Sequence, residues 1–142
     1  MSLASLLYRQ WTLYTCGTTV FRSIVRKFTD VHYTENQAIE LVGTTKDGTT
    51  FPQIIRSLRT EGVSVGKLKP VSKRNIDKAL SNDRWVVVAD YNTWINVHVF
   101  IVTGECMGMY WVLDPLIGFP VLYTKSYVTK TARGEGFSVY KR

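Results

Sequence analysis

The sequence predicts an α+β domain, with helices gathered in its first half and an antiparallel sheet in its second. Three observations lead there. Up to about residue 81, apolar residues recur at helical spacing between residues that cap helices; after residue 83 they gather into β-branched and aromatic runs separated by turn-like stretches. The 142 residues, 45% hydrophobic and 20% charged, have the length and balance of one globular domain, so a single domain is expected over 1–142.

The first helix is expected from Cys16 to Phe28, where Val20, Phe21, Ile24, Val25 and Phe28 make one buried stripe and Arg22, Arg26 and Lys27 face solvent. In "TENQAIELVG", Thr34 and Gln37 have the spacing of a capping box and Gly43 is a stop, which predicts a short second helix. "TFPQIIRSLRTEG" repeats the device with Thr50 and Gln53, places Pro52 in the first turn, and carries Phe51, Ile54, Ile55 and Leu58 as a stripe ended by Gly62. A shorter fourth helix from Ser72 to Leu80 turns Ile76, Ala79 and Leu80 inward. Strands follow at "RWVVVADY", "NVHVFIVTG" and "MYWVLDP", with another at "GFSVYKR". The triplet Gly-Thr-Thr begins at 17, 43 and 48, but its flanks differ, and it reads as turn and cap chemistry rather than as a repeat.

Charge and cysteine usage narrow the function classes. Eighteen Lys and Arg against eleven Asp and Glu give a net charge of +7, yet the basic residues are scattered in pairs such as Arg26-Lys27 and Lys73-Arg74. A solvated basic surface is expected, with no nucleic-acid partner and no polybasic membrane segment. Two cysteines, Cys16 and Cys106, cannot form a disulfide framework. Neither has a Cys or His at ligand spacing, so no metal site or other cofactor is expected. The opening "MSLASLLY" lacks the charged leading region of a secretory signal, and no run is long enough to span a membrane. A soluble chain, cytoplasmic rather than secreted, is the expectation.

Chemistry enters with "RQWTLYTCGTTVFRSIVRKF", where Gln10 stands six residues ahead of a cysteine that opens a helix. A cysteine there meets unpaired backbone N–H groups and the positive end of the helix dipole, which favour thiolate over thiol. A thiolate that attacks a peptide bond needs an imidazole to protonate the leaving amine, and a third group to orient that imidazole. His98, inside "INVHVFIV", is costly to bury among Val, Phe and Ile without a polar partner. Asp114 ends the following strand, and an antiparallel return through the turn near Gly104 to Gly108 brings that end back towards His98. Asp90, from the preceding strand, is a rival partner. Cys106, in "GECMGM", and His32, in "DVHYT", read as structural or surface residues, while Trp94 and Asn96 in "YNTWIN" are candidates to wall a cleft.

Gln10, then Cys16 opening a helix, then His98 on a strand, then Asp114 sixteen residues further on: this order resembles the papain-like cysteine peptidases. The closest likeness is to the bacteriocin-processing, double-glycine-leader peptidases and their stand-alone relatives. It covers most of the chain, including "GTTKDGTTFPQIIRSLRTEGV" and "HVFIVTGECMGMYWVLDP". Thr18 and Thr19 depart from the proline or alanine that relatives often carry after Cys-Gly. The resemblance implies a papain-like fold, N-terminal helices packed on a C-terminal antiparallel sheet, and a protein or peptide substrate. It implies that Cys16 attacks, His98 serves as base and acid, Asp114 orients His98, and Gln10 donates to the oxyanion. Two other outcomes stay open: acyl transfer on the same scaffold (a transpeptidase, deamidase or transglutaminase), and a non-catalytic binding module. Substrate sequence and oligomeric state are not legible.

Overall fold

The computed structural model describes residues 16–46, 48–90, 98–131 and 135–141, apart from the side chains of Asp90, His98 and Thr131. Three helices come first: α1 (Cys16–Thr29), α2 (Glu35–Val42) and α3 (Phe51–Thr60). Short strands β1 (Ser64–Val65) and β2 (Lys69–Pro70) lead to α4 (Lys73–Ser81). Strands β3 (Trp85–Asp90), β4 (His98–Cys106), β5 (Met109–Leu113) and β6 (Val121–Thr124) follow, then α5 (Lys125–Thr131) and β7 (Glu135–Tyr140). One sheet runs in the order β1-β7-β3-β4-β5-β6, with β2 also on β7, and each of these pairings is antiparallel.

Local chemistry accounts for the helix starts. Thr34 and Thr50 each accept the backbone N–H of the residue three on, and Gln37 and Gln53 reach back to the cap N–H, so both capping boxes form. Ser72 caps α4 by accepting the Asn75 backbone N–H on its side chain, without the reciprocal bond. Gly43, at φ 80, ends α2 in the left-handed region that suits glycine.

The strand runs are continuously apolar because the sheet is covered on both sides. On one face Val87, Ile101, Leu113 and Phe137 share a cluster with Phe21 and Ile24 of α1 and Ile54 and Leu58 of α3. On the other, Val86, Val88, Phe100, Val102 and Tyr110 pack with Ile76 of α4 and Val128 of α5. The alternation of Val86, Val87 and Val88 between the two clusters is the two-residue period of a strand with no solvent face. At the edge of the second cluster, Tyr110 Oη donates to Asp77 Oδ1 at 2.8 Å, and Lys125 Nζ bridges Asp77 and Glu105 at 3.2 and 2.7 Å. Burial, and then the Asp77 carboxylate, push the Tyr110 hydroxyl well above its ordinary range.

Some elements lie outside the sequence expectations. β1 and β2 are two residues each and carry no period. β6 and α5 adjoin within "VLYTKSYVTKT", where β-branched residues and lysines mask the change from strand to helix. Arg22, expected to face solvent, instead donates from Nε to the Tyr33 carbonyl at 2.9 Å, tying α1 to the segment before α2.

The three Gly-Thr-Thr triplets meet although they do not repeat. Thr18 Oγ1 lies 2.5 Å from Thr44 Oγ1, which lies 2.7 Å from Thr49 Oγ1, so the first threonine of each triplet joins one hydroxyl chain, buried at Thr18 and Thr44 and part-buried at Thr49. A Cβ on Gly17 would come within 3.0 Å of Thr49 Cβ, so the bare glycine lets the loop approach this closely. Thr44→Val is therefore expected to cost about 1–3 kcal/mol, because it removes the hydroxyl that joins buried Thr18 to part-buried Thr49 while preserving shape. Urea unfolding measures this; an unchanged midpoint would show that the chain contributes nothing.

Candidate active site

Cys16 is the first residue of α1 and is 9% exposed. Cys16 belongs to the apolar cluster between α1 and the sheet. Val20, Phe21, Ile24 and Val25 are buried in the same cluster, so the docking of α1 on the sheet draws its first turn down with them. Neither Cys16 nor Cys106 is half of a disulfide. Cys106 ends β4 opposite Met109, flanking a two-residue hairpin of Met107 and Gly108 with φ of 53° and 77°. That tip lies at the far end of β4 from His98.

His98 opens β4, directly across from Asp90 at the end of β3. Antiparallel pairing sets Ile101 opposite Leu113, so Asp114 leaves β5 at the same end of the sheet where His98 enters β4. The strand neighbour of His98, Val99, and the neighbour of Asp114, Leu113, both belong to the cluster that holds Cys16. The helix start and the residues flanking the two strand ends thus border one apolar cluster. Gln10, Trp94 and Asn96 lie outside the described residues, as do the His98 and Asp90 side chains.

Asp114 is 6% exposed, and a carboxylate so enclosed must be held by donors. Its Oδ1 accepts the Leu116 backbone N–H at 3.0 Å, and its Oδ2 accepts the Tyr123 hydroxyl at 2.7 Å. Tyr123 packs against the second apolar cluster, so thiol and carboxylate approach the sheet's end from opposite faces. Tyr123 was not legible as a site residue. It sits in a four-residue strand, and its tie to Asp114 spans nine positions with no recognisable spacing.

Thr18 and Thr19, the departures after Cys-Gly, are both buried. The Thr18 hydroxyl joins the threonine chain, while that of Thr19 has no hydrogen-bond partner among the described residues. His32 lies 3.7 Å from Asp30 with both side chains largely exposed, in keeping with a surface histidine. Among the described residues no His, Cys, Asp and Glu cluster could hold a metal ion, and no helix is long and apolar enough to cross a membrane.

The fold is that of papain-like C39 cysteine peptidase domains. The peptidase domain of Streptococcus ComA, a bi-functional ABC transporter involved in quorum sensing, superposes with a TM-score of 0.80 at 21% identity, over 96% of this chain and 98% of that one. A double glycine motif protease from an AMS/PCAT transporter, solved in complex with its leader peptide, gives 0.76 at 12% identity over 96% and 91%. The N-terminal peptidase C39 like domain of a toxin secretion ATP-binding protein from Vibrio parahaemolyticus gives 0.62 at 12% identity over 94% and 100%. No protein-family model and no curated protein matches the chain.

Proposed function

We propose that this protein is a cysteine peptidase that cleaves a peptide bond through a thioester on Cys16. The observation that supports the proposal is the likeness of the fold to C39 peptidase domains, together with Cys16 opening α1 and His98 and Asp114 lying at the same end of adjacent strands β4 and β5. In this reading Cys16 Sγ adds to the substrate carbonyl carbon, and the carbonyl electrons move onto oxygen. His98 then protonates the leaving amine as the C–N bond breaks. Water, deprotonated by His98, hydrolyses the thioester and returns the thiol. Asp114 holds the imidazole and favours its charged form.

The oxyanion would sit between the backbone N–H of Cys16, the first residue of α1, and the Gln10 amide. Gln10→Ala is expected to lower kcat about a hundredfold with little change in KM, since the charge it meets exists only in the transition state. Unchanged kcat in steady-state assays would make Gln10 a structural residue.

The substrate is proposed to be a peptide with small residues, glycine first among them, on the acyl side of the cut bond. Support comes from the double glycine motif protease solved with its leader peptide. The test is incubation of the chain, and of Cys16→Ala, with peptides carrying Gly-Gly before the cut bond, reading product masses. Two fragments are expected from the native chain alone. A one-dalton gain without cleavage would indicate deamidation, a joined product would indicate acyl transfer, and either would replace hydrolysis as the reaction.

A further inference from the structure

We propose that Tyr123 is a positioning residue for Asp114, its hydroxyl fixing the orientation and charge of the carboxylate that holds His98. The inference rests on the reading of Asp114 as the His98 partner. The terminal torsion of an aspartate is soft, so a buried carboxylate turns unless its two oxygens are held separately. Here they are: Oδ1 by the Leu116 backbone N–H at 3.0 Å, and Oδ2 by Tyr123 Oη at 2.7 Å. A carboxylate has about four lone-pair sites, so these two donors orient it without exhausting its capacity to accept from an imidazole.

The donor is itself braced. Tyr123 is paired in register with Tyr110, and its ring stands edge-on to Phe100 at 6.0 Å and to Tyr127 at 5.0 Å. Phe100 is two residues beyond His98 on β4. One side chain from β6 thus touches the carboxylate that ends β5 and rests on the strand that begins with His98. A hydroxyl donated to a carboxylate favours its charged form, which is the form that supports an imidazolium. Phenylalanine keeps the ring that meets Phe100 and Tyr127 and removes the hydroxyl donor.

The probe is a Gly-Gly peptide chloromethyl ketone, whose capture by Cys16 is followed by intact mass across pH in the native chain, Tyr123→Phe, Asp114→Asn and the double variant. Tyr123→Phe is expected to lower the inactivation rate constant about three- to tenfold at neutral pH, with the concentration giving half-maximal rate unchanged. Its acidic limb is expected to move to higher pH, because a carboxylate without its donor takes up a proton more readily. The double variant is expected to react no more slowly than Asp114→Asn, since the hydroxyl acts only through that carboxylate. A merely structural tyrosine would leave the acidic limb in place or add its loss to that of Asp114→Asn, and either result overturns the proposal. If Asp114→Asn matches the native chain, the triad reading of Asp114 falls and the role of Tyr123 with it. If Asp114→Asn is impaired while Tyr123→Phe is native-like, the proposal for Tyr123 fails alone.

Discussion

Cys16→Ala is expected to lower peptide cleavage by at least about a thousandfold, to the level set by binding and oxyanion stabilisation alone. No neighbouring group can substitute for the atom that carries the acyl group, and Cys106 lies at the opposite end of β4 beside the Met107-Gly108 turn. The substitution is not silent for the fold. Because Cys16 is packed into the α1 cluster, removing its sulfur should cost about 1 kcal/mol of stability. Activity and urea midpoint measured on one preparation separate the two effects. A large loss of activity beside a shift of this size identifies the nucleophile, whereas cleavage at native rates would dismiss Cys16 from the chemistry.

The second large effect divides proton transfer from orientation. His98→Ala is expected to be nearly as damaging as Cys16→Ala, since the thiolate and the leaving amine both depend on one imidazole. Asp114→Asn should retain measurable activity, because an asparagine oxygen still accepts from the ring. It should also move the basic limb of the pH–rate curve downward. The sign follows from the charge: a carboxylate beside the imidazolium favours the protonated ring, and a neutral amide does so less, so the ring loses its proton at lower pH. A basic limb that stays in place in Asp114→Asn but moves in Asp90→Asn would transfer the role to the residue that pairs with His98 across β3 and β4.

Three of the four helices in the first half were legible because each announces its own start. Thr34-Gln37, Thr50-Gln53 and Ser72 are local signals, satisfied by backbone a few residues away, and the structure uses all three. The central strands were legible because coverage on both faces forces unbroken apolar runs. What eluded sequence was non-local or short. β6 and α5 hold their places through packing of Val121, Tyr123 and Val128 on the second cluster, not through any period of their own. The threonine chain joins positions 26 and 5 residues apart, and the tie from Tyr123 to Asp114 depends on how β5 and β6 pair. The burial of Cys16 likewise follows from the docking of α1 on β4 and could not be read from the cysteine's own neighbours. The order of Gln10, Cys16, His98 and Asp114 was visible as a pattern, and the antiparallel return of β5 is what gives the last two members a common end of the sheet.

Peptide mapping of the adduct formed by a Gly-Gly peptide chloromethyl ketone tests the nucleophile most directly, because it reads the reacting atom without requiring the natural substrate. The expected result is one peptide per chain, attached to Cys16, formed in the native protein and lost in His98→Ala. Attachment to Cys106, or capture by Cys16 at the same rate with and without the imidazole, would contradict a cysteine peptidase built on Cys16 and His98.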